Sequence, residues 1–271
     1  MKLSVWLMLV AVGATFAGLY MSPAASSDEL SKDLFADLLS DPLSAEHDLS
    51  GIGFAVDTQA NVSTLREIPD RCEGRGEYAL RGTSAQALAI TAPHSEADRD
   101  TGTLAGILFE ETSARAAAWN SAPRRGSSDC GPAIDLTDLE DHPFTAFALA
   151  FAEAQPDGSI IQLHGFERAR RSTLEAHDAA VIVSNGTDQP DAALLELADC
   201  LSRVSAPATV LVHPGDTSEL GALTNAQGRA LREAGFAGFV HLELSASWRE
   251  TLLSDDARRK DFAHCLVEAR A

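Results

Sequence analysis

From residue 78 onward the chain alternates short apolar runs with longer amphipathic ones. Residues 78–80, 87–91, 116–119, 159–163, 179–183, 209–212 and 239–245 are rich in Ala, Val, Ile and Leu and have strand length. Between them lie segments with apolar residues at helical spacing: Leu104, Ile107 and Leu108, then 144–154, 192–204, 225–234, 248–253 and 255–269. Pro93 stops the second run, and Gly235 closes the helix over 225–234. Strands that alternate with helices predict an α/β fold: a mixed, mainly parallel sheet with helices on both faces.

The first quarter of the chain reads differently. Lys2 precedes an almost wholly apolar stretch over 3–21, and Ser22, Pro23 and Ala24 follow it. This predicts a signal peptide over 1–25, cleaved on export, with an uncleaved membrane anchor as the alternative. Residues 26–75 read as an acidic N-terminal extension. It opens with an amphipathic helix marked by Leu30, Leu34, Phe35, Leu38 and Leu39 and ended by Asp41-Pro42, and it is irregular over 51–75. The α/β domain then occupies 76–271.

The formal net charge of −19 argues against nucleic acid and anionic membrane surfaces as partners, although a local basic cleft can sit inside an acidic surface. Cys72, Cys130, Cys200 and Cys265 contain no Cys-x-x-Cys pair, so no thiolate zinc site is indicated. In an exported chain an even number suggests disulfides. Of the three connectivities, Cys72–Cys130 with Cys200–Cys265 is the expected one, and four buried thiols are the alternative for a cytosolic protein.

Several strands end in a residue capable of chemistry. After 87–91 come His94, Glu96, Asp98 and Asp100, and 159–163 is followed by His164. Ligands of open α/β sheets bind at the carboxyl ends of strands. A lone strand-end histidine more often caps a backbone group. Two of them, one beside carboxylates, point to a metal site with His94, Asp98 and His164 as ligands and Glu96 as the competitor of Asp98. Asp100 reads as a helix cap. Glu243 lies between Leu242 and Leu244, where a carboxylate is costly unless paired or functional, and suits a general base. Its neighbour His241 reads as a supporting or packing residue, and His213 as part of a turn. Asn120 and Arg124, with Arg125, sit in or beside a Pro-, Gly- and Ser-rich loop and suit contacts to a substrate carboxylate. Arg168, Arg170 and Arg171 are second choices. Neither a Gly-x-Ser-x-Gly elbow nor a Gly-rich phosphate loop occurs in the sequence.

Pro93-His94, Asp98-x-x-Thr101, Leu163-His164-Gly165 and Leu242-Glu243-Leu244, in this order, resemble the zinc-dependent hydrolases of the zinc carboxypeptidase and N-formylglutamate amidohydrolase type; poly-gamma-glutamate hydrolase is similar. The resemblance runs from Leu88 to the end of the chain. It implies a zinc carboxypeptidase-like (phosphorylase/hydrolase-like) fold and one Zn2+ held by His94, Asp98 and His164. It further implies a catalytic Glu243 and substrate contacts from Asn120 and Arg124. The carboxypeptidase pattern has Glu three residues after the first His, where this chain has Ala97, so the second ligand stays open between Asp98 and Glu96. The function implied is an exported zinc hydrolase that cleaves an amide bond in a small peptide-like or N-acyl amino acid substrate carrying a carboxylate. One alternative is an enzyme like the cell-wall N-acetylmuramoyl-L-alanine amidases, with a zinc ligand such as Glu110 or Glu111 on the first helix. The other is an exported binding protein without catalysis on the same fold.

Overall fold

The computed structural model describes residues 27–44, 49–68, 73–82, 85–128 and 131–268. The expected signal segment, Cys72 and Cys130 lie outside the described residues. In chain order the elements are α1 (Ser27–Ser40), β1 (Phe54–Gln59), β2 (Val62–Glu67), β3 (Glu77–Arg81), β4 (Gln86–Ala92), α2 (Thr101–Glu111) and β5 (Ala114–Trp119). A small hairpin of β6 (Ser127–Ser128) and β7 (Gly131–Pro132) follows, then α3 (Pro143–Ala154), β8 (Ser159–Phe166), α4 (Leu174–Asp178) and β9 (Ala179–Ser184). The chain finishes with α5 (Ala192–Ser205), β10 (Thr209–Val212), α6 (Ala226–Glu233), β11 (Phe239–Ser245), α7 (Ala246–Ser254) and α8 (Asp256–Glu268).

Nine strands form one mixed sheet in the order β1-β2-β3-β5-β4-β8-β11-β9-β10. Its centre, β5-β4-β8-β11, is parallel throughout; β1, β2 and β3 add antiparallel on one side, and β9 pairs antiparallel with β11 on the other. The α/β fold expected from the alternation is therefore present, with antiparallel strands added at both flanks. The reading of 51–75 as irregular is overturned over 54–67, where β1 and β2 form a hairpin that extends the sheet. β1 buries only Phe54, so it lacks the alternation that marks a half-buried strand. Its turn uses Ala60 at φ 53° in place of the usual Gly or Asn signal.

Helices cover both faces. Phe35 and Leu38 of α1 pack with Phe144, Phe147 and Phe151 of α3 and Leu231 of α6 on one face. Leu104 and Leu108 of α2, Leu197 and Leu201 of α5, Trp248 of α7 and Phe262 of α8 pack on the other. Cys200 of α5 and Cys265 of α8 are joined by a disulfide, as expected, with their Cα atoms 5.7 Å apart. No helix among the described residues is long and apolar enough to cross a membrane.

The order β4-β8-β11 brings three neighbouring parallel strands to a common carboxyl edge. Along β11, Val240, Leu242 and Leu244 enter one core, while His241 and Glu243 face the other side of the sheet, where Phe239 begins the strand. The register pairs His241 with Gln162 and Glu243 with His164, so four polar side chains share one face. That face is apolar at the amino ends of the strands, through Ile160 and Phe239, and polar at their carboxyl ends.

α3 starts at Pro143, preceded by His142, whose Nδ1 accepts from the Phe144 backbone N–H at 3.1 Å. Burial pushes the His142 imidazole down from 6.5 to about 4, against a contact with the Gly74 backbone and the charge of Glu67, which raise it. The folded protein then keeps His142 neutral between about pH 4 and 6.5, while the unfolded chain takes up a proton there. The stabilisation is complete above 6.5 and is lost as pH falls toward 4, at up to about 1.4 kcal/mol per pH unit. His142→Asn keeps a cap acceptor without this titration. Urea unfolding at pH 7 and pH 4.5 should show wild type losing about 1–3 kcal/mol more than the variant; equal losses would remove His142 from the acid response.

Candidate metal centre and its cavity

Pro93 ends β4 inside a series of turns, and the Asp98 N–H donates to the His94 carbonyl at 2.8 Å. That single helical turn sets Asp98 beside the His94 ring. His164, in β8, reaches the same point from the neighbouring strand. The His94 and His164 Nδ1 atoms are 3.1 Å apart, and Asp98 Oδ2 lies 3.3 Å from each. All three side chains are buried, His94 to 2% exposure, His164 to 5% and Asp98 to 9%. The Gly165 N–H also donates to Asp98 Oδ2, at 3.1 Å. A side chain at Gly165 would run into the guanidinium of Arg249, which is anchored on the carbonyls of Leu244 and Arg99.

These three atoms fit a metal ion. Donors about 2.0–2.1 Å from a tetrahedral ion stand about 3.3–3.4 Å from one another, which is close to the triangle observed. Two imidazole nitrogens and one carboxylate oxygen form a donor set of the catalytic type, which leaves a fourth position for water or substrate. Of the two candidate acids, Asp98 belongs to this group, while Glu96 is exposed and does not. A second group that could hold an ion, His164 with His241 and Glu243, adjoins the first and shares His164 with it.

The other ring nitrogens of the two histidines are fixed from behind. His94 Nε2 donates to Asp135 Oδ1 at 2.8 Å. Asp135 also accepts from the Thr137 N–H and hydroxyl, and through Oδ2 from Arg124 Nε at 2.7 Å. His164 Nε2 meets Gln162 Oε1 at 3.1 Å. Burial lowers the His94 imidazole, but hydrogen bonds to Asp135 and Asp98 outweigh it and the net direction is upward. For His164 burial prevails over Asp98 and the shift is downward. Burial would raise Asp98 and Asp135, yet their histidine contacts hold both well below the carboxylate range.

Glu243 lies 3.7 Å from His241 Nε2 through Oε1, and its Oε2 has no hydrogen-bond partner, as is also true of His241 Nδ1. Burial first, and the charge of Asp98 second, push Glu243 up to about 8. Burial and the neighbouring histidines hold His241 well below its usual value. His241 stacks on His164 with ring centres 4.6 Å apart.

These groups line a cavity of about 540 Å³. Its walls carry Arg124, Arg125, Arg170, Arg171 and Arg249. Asn120 is not brought there. Its Oδ1 accepts from the Ala122 N–H, and its Nδ2 donates to the Ile134 carbonyl, so it shapes the loop behind Arg124. Arg168 donates to the Ala179 carbonyl. Asp100 precedes α2 but its side chain makes no cap bond and lies near Arg99. Glu110 and Glu111, the alternative ligands on α2, pair with Arg81 and Arg259 and do not line the cavity. Sequence reasoning missed Asp135, Gln162 and Arg249. The Asp-x-Thr turn signal at 135–137 was visible, but nothing in it pointed to His94.

No protein-family model and no curated protein matches the chain. Solved structures resemble it in fold. The N-formylglutamate amidohydrolase of Ralstonia eutropha is 14% identical over 72% of this chain and 97% of its own, with a TM-score of 0.46. The succinylglutamate desuccinylase of Vibrio parahaemolyticus is 11% identical over 85% and 81%, with a TM-score of 0.43. That of Chromobacterium violaceum is 13% identical over 88% and 74%, with a TM-score of 0.40.

Proposed function

We propose that this protein is an exported zinc-dependent hydrolase acting on an amide bond in a small peptide-like or N-acyl amino acid substrate that carries a carboxylate. The observation that carries the reading is the triangle of His94 Nδ1, Asp98 Oδ2 and His164 Nδ1, with edges of 3.1–3.3 Å, at the floor of an arginine-lined cavity. A nitrogen-rich donor set of this kind suits zinc better than the hard, oxygen-seeking magnesium or calcium. When bound, zinc supplies Lewis acidity that polarises a carbonyl and makes a water easier to deprotonate.

Glu243 provides the proton relay. In its ionised form, which burial makes predominant only above about pH 8, the Glu243 carboxylate would take the proton of the attacking water and return it to the departing nitrogen, so that no free amide anion forms. The apolar neighbours Leu242 and Leu244 anchor the strand in the core while Glu243, with His241, lines the cavity. Arg124, held at Nε by Asp135, turns its terminal nitrogens to a substrate carboxylate, and Arg125 and Arg170 add positive charge nearby. Export is supported by the apolar run over 3–21 and by the Cys200–Cys265 disulfide, which suits an oxidising compartment. On this reading the membrane is a partner only if the first segment stays attached.

Purified protein should bind about one zinc per chain, as a three-ligand centre requires. Elemental analysis after dialysis should show zinc lost from folded Asp98→Ala and His164→Ala and retained by Glu96→Ala. A folded wild type that takes up no added zinc would refute the metal assignment. Glu243→Gln should keep its zinc but lose about 10²–10⁴-fold in kcat on a hydrolysed N-acyl amino acid. Wild-type turnover in that variant would remove Glu243 from the chemistry.

A further inference from the structure

Gln162 sits in the middle of β8 with its side chain 1% exposed, and it touches His164 two residues on. The direction of its amide is dictated by two backbone groups at a distance. The first is the carbonyl of Leu136, which can only accept. Gln227 Nε2 donates to it at 2.8 Å and to Thr145 Oγ1 at 2.8 Å, so Gln227 Oε1 points the other way and accepts from Gln162 Nε2 at 3.3 Å. The second is the N–H of Gly228, which can only donate. Asn225 Oδ1 accepts from it at 2.9 Å, so Asn225 Nδ2 points away and donates to Gln162 Oε1 at 2.7 Å. Both chains leave Gln162 Oε1, an acceptor, facing His164 Nε2 at 3.1 Å.

We propose that Gln162 is a positioning residue whose amide, oriented by Gln227 and Asn225, locks the His164 proton on Nε2 and keeps the Nδ1 lone pair turned toward His94 and Asp98. The consequence for metal binding rests on the zinc reading above; the tautomer itself does not. A neutral His164 with its proton on Nδ1 would point an N–H into the triangle and block it. With the proton held on Nε2, no rearrangement precedes coordination. The two histidines are then oriented by different chemistry: His94 by the carboxylate of Asp135, His164 by an uncharged amide. Hydrogen-bond partners of this kind characteristically alter metal affinity about 10–100-fold when removed.

The test is the 15N chemical shifts of the histidine ring nitrogens in the full-length, metal-free protein, with the His164 signals identified by their loss in His164→Gln. Wild type should show the Nε2–H tautomer at His164; an Nδ1–H tautomer would overturn the proposal. Asn225→Asp preserves the cap acceptor for Gly228 but replaces the donor facing Gln162 with an oxygen. With Gln227 still holding the amide from its other side, it should shift the His164 proton partly toward Nδ1 and weaken zinc binding in chelator competition, by up to about 10–100-fold. An unchanged tautomer in that variant would equally overturn the assignment. Gln162→Glu keeps an acceptor toward His164 and should retain the Nε2–H tautomer with zinc affinity within a few-fold of wild type, whereas Gln162→Met should give mixed tautomers and weaker binding. Equal effects of Glu and Met at this position would reduce Gln162 to a packing role. Because the tautomer is read without metal, a wild type that is locked but binds no zinc defeats the zinc reading and leaves the lock standing.

Discussion

Bringing two imidazoles and a carboxylate within 3.1–3.3 Å of one another in a buried pocket is costly unless they are held and paired, because water is excluded. The arrangement survives because each atom is held from behind. His94 is backed by Asp135, His164 by Gln162, and Asp98 by the backbone N–H of Gly165. Each backing group belongs to an element with its own reason to be where it is: a turn stapled by Thr137, a central strand, and a strand whose glycine admits the Arg249 guanidinium. The strand order β4-β8-β11 is the larger condition. If these strands were not parallel neighbours, their carboxyl ends would not meet.

The sheet also explains why polarity is confined to one corner. Residues of β8 and β11 alternate between two cores, and only toward the carboxyl edge does one face exchange Ile160 and Phe239 for Gln162, His164, His241 and Glu243. Buried amides and imidazoles are costly unless their hydrogen bonds are made. The chain from Leu136 through Gln227 and Gln162 to His164 satisfies them in sequence. What remains unpartnered, Glu243 Oε2 and His241 Nδ1, lies where the cavity begins.

Legibility from sequence followed the same division. The central strands stood out because they are short, apolar and sharply bounded, and Glu243 stood out because an acid between Leu242 and Leu244 is anomalous in a strand. His94 and His164 were found by their place at strand ends. The β1–β2 hairpin was not legible, since a mostly exposed flanking strand has little hydrophobic pattern to read. Asp135 and Gln162 were invisible for a different reason. Asp135 lies 41 residues from His94, and Gln162 stands two residues before His164 on the same face of the strand; neither spacing carries a metal signature. Asn120 was misplaced because being next to the arginine loop in sequence does not decide which way a side chain turns; its amide was needed to fold that loop.

Arg124 joins the two halves of the site. Its Nε is committed to Asp135 Oδ2, whose other oxygen holds His94. Arg124 therefore holds Asp135 while it also lines the cavity. In a chain of net charge −19, an anion approaching the surface at large meets repulsion, so an arginine-lined cavity concentrates the attraction at one place. Arg124 on the cavity wall and the hold on His94 are thus parts of one charge network, joined through the two oxygens of Asp135.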